Sequence, residues 1–158
     1  MTVITLTSPQ GRLTAEQRSV LAETLTDAVL VPEIGQPHSL ARVGFQVHFV
    51  DLPTDHMAIG GKLISEVAAD IMVVDVAVMD GDWRQDVRAL VIERLLSALA
   101  EACNMESPSA TWWVNFRVIE EGCWGSRGGV LSILDLLNTG VFTPAKKQAI
   151  LDAFSGKS

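Results

Sequence analysis

Apolar residues along this chain fall into two alternating rhythms, and the rhythms occur twice. Val3-Ile4-Thr5-Leu6 alternates with the period of two that marks a strand, and Ser8-Pro9-Gln10-Gly11 closes it. Thr14 with Gln17 three residues on is a capping box. Val20, Leu21, Leu25, Ala28 and Val29 then recur at helical spacing, which predicts an amphipathic helix ending before Pro32. Residues 32–37 read as a loop, and Val43 to Val50 as a second strand.

The same unit returns further along. Ile71 to Met79 reads as an inner strand, almost wholly apolar and interrupted by Asp75. Asp82 and Gln85 repeat the capping signal. Val87, Leu90, Val91, Leu95, Ala98 and Leu99 supply a second helical stripe, and Thr111 to Val118 a returning strand. An offset of 68 carries Thr14 to Asp82 and Val43 to Thr111. A duplicated strand–helix–strand unit predicts one mixed four-stranded sheet of two parallel pairs, with both helices on one face.

Shorter elements fill the gaps. The paired glycines of Ala58-Ile59-Gly60-Gly61 predict a hairpin or bulge. Residues 120–129 form a glycine-rich loop, Val130 to Leu137 a short helix, and Thr143-Pro144 opens a last helix to about Phe154. The class is α+β. One domain of 1–158 is expected, with units at 1–50 and 71–118 and a C-terminal segment at 119–158.

Composition narrows the function classes. Hydrophobic content of 48% over 158 residues, with mean hydropathy +0.28, suggests apolar surface covered by other subunits. Trp112 and Trp113 point to opposite sheet faces, which favours a covering neighbour on the second face. No apolar run approaches about 20 residues and no charged-then-apolar leader opens the chain, so a cytoplasmic protein with no membrane partner is expected. A net charge of −7 argues against nucleic acid. Cys103 and Cys123 fit no metal spacing and read as a reduced pair. Neither a metal nor a cofactor is expected.

Gly11-Arg12-Leu13-Thr14, Leu25-Thr26-Asp27-Ala28, Ala58-Ile59-Gly60-Gly61 and Trp113-Val114-Asn115-Phe116 carry a likeness in order and spacing. On these the chain resembles the tautomerase superfamily, and within it the long members typified by cis-3-chloroacrylic acid dehalogenase. The resemblance implies a homotrimer with pockets between subunits near each N-terminus. It also implies an amino-terminal proline as general base, and here Thr2 stands in its place. Val29 stands for a helix-end histidine, Met79 and Asp82 for two arginines, and Asn115 for a tyrosine; a glutamate is replaced near Ser126. Chemistry based on proline is therefore not expected.

The candidate residues follow from charge and position. Thr2, once freed of Met1, would bring an α-amine and a hydroxyl as base or nucleophile; alternatively it is an ordinary strand end. Arg127, in the glycine-rich loop, is the leading cation for a substrate carboxylate, with Lys62 and Arg84 assisting. Asn115 either donates to a ligand carbonyl or is a satisfied amide facing the helices. His48 reads as a sheet histidine, Glu120 and Glu121 as a hydrated turn, and Trp124 as an interface contact. The readings are a divergent tautomerase-like or hydrolytic enzyme acting on a small organic acid, a non-catalytic binding module, or a structural subunit of a trimer or mixed assembly.

Overall fold

A computed structural model describes residues 1–156. Its main sheet contains β1 (Thr2–Pro9), β2 (Phe45–Leu52), β5 (Met72–Met79) and β6 (Trp112–Ile119), in the order β2-β1-β5-β6. Two-residue strands β3 (Ala58–Ile59) and β4 (Lys62–Leu63) form a separate hairpin, closed by Gly60 and Gly61 at positive φ. β1 pairs parallel with β2, β5 parallel with β6, and β1 antiparallel with β5. Helices α1 (Ala15–Ile34) and α2 (Gln85–Ala102) lie against one face of this mixed sheet. The α+β reading holds.

The duplication is real, but its offset is not uniform. Thr2 matches Met72 and Ala15 matches Gln85, each 70 positions on, while Phe45 matches Trp112, 67 on. A shorter second helix accounts for most of the difference. At the offset of 70, buried Ile4, Leu6, Leu21, Leu25 and Val29 recur as buried Val74, Val76, Val91, Leu95 and Leu99. These side chains form the main core, and each contributes roughly 1.5–3 kcal/mol by leaving water. Val20 and Leu90, expected in the two buried stripes, are about half exposed and also lie 70 apart.

Three helix boundaries differ from expectation. Thr14 and Gln17 do form the capping box. The first helix, however, runs through Pro32 to Ile34, because its last turn is buried and Gly35, at φ 87°, closes it with a bond to the Val31 carbonyl. A proline so near the end forfeits one backbone bond, and the burial of its neighbours offsets that loss. The second helix starts at Gln85 with Arg84 as N-cap, not at Asp82. The Asp82 carboxylate accepts from Arg84 Nε at 2.7 Å and Lys146 Nζ at 2.9 Å, and charge-assisted bonds win over a neutral amide cap. Only Ile133–Leu136 (α3) of the expected 130–137 helix forms; Gly129–Val130 (β8) pairs instead with Gly125–Ser126 (β7). The last helix, α4 (Pro144–Ser155), opens as expected on a Thr143 cap.

The C-terminal segment packs over one end of the sheet. Met79, Leu131, Ile133, Leu137 and Ile150 form a second apolar cluster there, with Met1, Trp124 and Phe142 against it. Two polar contacts secure it: the Thr143 amide donates to the Ile34 carbonyl at 2.9 Å, and Lys146 reaches Asp82. The sheet's other face carries no helix, and Trp113 on it is 58% exposed while Trp112 is buried.

Two stability predictions follow from this end of the molecule. An added Cβ at Gly35 would overlap the Thr143 hydroxyl in a left-handed backbone position, whereas at Gly122, φ 85°, it meets nothing. Gly35→Ala is expected to cost about 2–4 kcal/mol in urea unfolding, and Gly122→Ala about 1–2 kcal/mol from backbone strain alone; equal losses would show that the Thr143 contact is slack. The second concerns Asp82. Burial pushes its carboxyl up, but the bonds from Arg84 and Lys146 outweigh burial and hold it below the usual 3.8. A lowered carboxylate stabilises the fold above its unfolded value, and that stability is lost as pH falls through the folded value. Asp82→Asn is expected to cost about 2–4 kcal/mol at pH 7, with the gap to wild type closing as pH drops below the ordinary carboxylate range. A gap independent of pH would contradict the ion-pair account.

Candidate functional site

The ladder between β1 and β5 pairs Thr2 with Val78, so the chain's first residue lies beside the end of β5. The Met1 amine is 3.6 Å from Met79 Sδ, and the Met79 amide donates to the Met1 carbonyl at 3.4 Å. The last turn of α1, the 3-10 turn at 39–44 and the C-terminal cluster converge on this point. They enclose a cavity of about 280 Å³, lined among others by Met1, Glu33, Leu40, Val43, Arg127 and Phe142. Its walls are mostly apolar, with a carboxyl and a guanidinium as the charged side chains among the described lining residues.

Arg127 reaches the cavity from the turn joining β7 and β8. Arg127 and Gly128 both have positive φ, 54° and 82°, and Ser126 pairs with Gly129 around them. Such a two-residue turn is normally filled by asparagine and glycine, so an arginine there holds a strained backbone. Glu33 lies on the opposite, inner side and is 8% exposed. Its Oε2 accepts from the Thr2 hydroxyl at 3.3 Å. Burial pushes this carboxyl above its ordinary 4.5, against the pull of the terminal amine, the Thr2 hydroxyl and Lys146.

Thr2 is 1% exposed and meets the cavity only through Glu33. Among the described residues, the lining set includes Arg127 but not Lys62, Arg84 or Asn115. Lys62 is exposed on β4. Arg84 extends into solvent and binds Asp82. Asn115 points to the helix-free face, where its Nδ2 donates to Asp75 Oδ1 at 3.1 Å, so it neither enters this cavity nor faces the helices. His48 lies on that face too, 3.0 Å from Gln46. Glu121 Oε2 accepts from the Ile133 amide, and Trp124 packs in the second cluster. No group of three or more potential metal ligands gathers among the described residues, and no described helix is long and apolar enough to cross a membrane.

Sequence reasoning missed Glu33. A signal was present: Leu21, Leu25, Val29 and Glu33 are spaced by four, so Glu33 continues the buried stripe of α1. Ending the helix at Pro32 concealed it. Lys146 was missed as well, because its partner Asp82 is 64 residues away.

No family model matches this chain, and no curated protein does. Solved structures do. A member of the cis-3-chloroacrylic acid dehalogenase (cis-CaaD) family, N1, aligns over 95% of this chain and 99% of its own, with TM-score 0.68 and 18% identity. A fused 4-OT, described as a wild-type symmetric trimer, aligns over 82% and 94%, with TM-score 0.65 and 24% identity. MIF2 of Leishmania major aligns over 83% and 97%, with TM-score 0.61 and 17% identity. Strand order, helix placement and these likenesses agree that the chain has the tautomerase-superfamily fold.

Proposed function

We propose that this chain is a divergent tautomerase-fold protein whose N-terminal cavity binds a small carboxylated molecule without proline-based chemistry. The observation that carries the reading is the cavity itself: an apolar chamber at the start of β1 with Arg127 at its edge. A guanidinium fork suits a carboxylate, and the apolar wall of Leu40, Val43 and Phe142 suits a short hydrocarbon portion. Arg127 is the cation this reading assigns to the ligand; Lys62 and Arg84 are not used. The overall charge of −7 disfavours large polyanions without opposing one small anion held locally.

Assembly as a homotrimer belongs to the same proposal. The fused 4-OT is a trimer by description, and the uncovered sheet face with Trp113, together with Leu40 and Val43 at 72% and 89% exposure on the cavity rim, supports a neighbouring subunit there. The burial of Thr2 favours a second reading, a binding or structural subunit with no chemistry of its own.

Light scattering at micromolar concentration is expected to give three times the 17.1 kDa chain; a stable monomer would remove the subunit-closed pocket. Calorimetric titration of small mono- and dicarboxylates is expected to show binding that Arg127→Ala weakens about tenfold or more, since the lost charge-assisted bonds are worth roughly 1.5–3 kcal/mol each. Equal binding by both proteins would leave Arg127 a surface residue and favour the structural reading.

A further inference from the structure

Glu33 is placed where a carboxyl is costly. It sits in the last turn of α1, at the negative end of the helix dipole, with 8% of its surface exposed. Among the described residues it has one hydrogen bond, from the Thr2 hydroxyl to Oε2, which leaves Oε1 for the cavity that Glu33 lines. The nearby ammonium of Lys146 on α4 is held by Asp82. The Met1 amine lies by Met79, and Arg127 lines the same cavity from the β7–β8 turn. No cation bonds to Glu33 among the described residues, so the arrangement does not explain itself as a salt bridge. A buried carboxyl facing a cavity is the usual form of a general acid or base.

We propose that Glu33 is the proton-transfer residue of the N-terminal cavity, acting where an amine base would otherwise be needed, on a carbon next to the carbonyl of a bound small carboxylate. The inference rests on the carboxylate-binding reading above. In the forward step Oε1 of the ionised carboxylate takes a proton from that carbon. The C–H pair becomes the second bond of a carbon–carbon double bond, and the carbonyl π pair moves to oxygen, which takes a proton from water. In reverse, Glu33 returns its proton to carbon and the oxygen proton goes back to water. No oxidant or cofactor is consumed.

The experiment uses the full chain in deuterium oxide with 2-oxobutanoate and phenylpyruvate as probes. Proton NMR follows hydrogen exchange at the carbon beside the carbonyl, and calorimetry measures binding of each probe. Wild type is expected to bind and to exchange well above buffer. Glu33→Gln, which keeps shape and the Thr2 contact, is expected to bind within about threefold of wild type and to exchange roughly 10²- to 10⁴-fold more slowly. Binding without exchange, or equal exchange by both proteins, would overturn the role of Glu33 while leaving the binding reading intact. Absence of binding by wild type would overturn both. Should Glu33→Gln not fold, as read by circular dichroism, the pH profiles of wild type and Thr2→Val decide. Exchange must rise with pH through an inflection above 4.5 as Glu33 ionises. Thr2→Val, which removes a bond to the carboxylate, must move that inflection upward; a flat profile or an unmoved inflection would overturn the proposal.

Discussion

The antiparallel ladder of β1 with β5 runs from Thr2–Val78 to Thr7–Val73, and it joins the two halves of a duplicated unit at the centre of the sheet. Each half supplies a strand pair and a helix that cannot bury its apolar stripe alone. Joined, they place Ile4 and Leu6 beside Val76 and Val74, beneath Leu25 and Leu95. The same register delivers the amino terminus to the end of β5. Everything that forms the cavity is arranged around that terminus: the last turn of α1, the strained Arg127 turn and the C-terminal cluster.

Charge is distributed unevenly at this end. Asp82, buried and bonded to Lys146 and Arg84, ties α4 to the loop before α2. By holding Lys146, it keeps that ammonium from forming a direct bond with Glu33. One carboxyl is thereby drawn down by cations and the other pushed up by burial. Two acids with opposite perturbations a short way apart divide structural from chemical work, since only a group that gains and loses a proton at working pH can move one.

The likeness to solved structures is one of backbone, at 17–24% identity among those described. A fold accommodates different chemistries when the residues at its site change. Here Thr2 is drawn inward to Glu33, and the cavity keeps a cation only on a late hairpin. The layer of helices, the mixed sheet and the location of the cavity are features of the fold; Glu33 and Arg127 are features of this chain.

What the sequence determined by itself rests on interactions within a few residues. The Thr14–Gln17 box, the Gly60–Gly61 hairpin, the Thr143-Pro144 helix start and the opposite facing of Trp112 and Trp113 all depend on local hydrogen bonds or on backbone period. The duplicated stripes likewise made two strand–helix–strand units legible. Only the tertiary structure decided the rest. Asp82 gave up its expected capping role to a lysine 64 residues away, and Asn115 turned to Asp75, 40 residues away, on the helix-free face. Helix α1 continued past Pro32 because burial of its last turn outweighed one lost backbone bond, and that continuation carried Glu33 to the Thr2 hydroxyl. Local pattern records propensity and period, whereas the burial and partner of a charged group depend on which distant segments the chain brings against it.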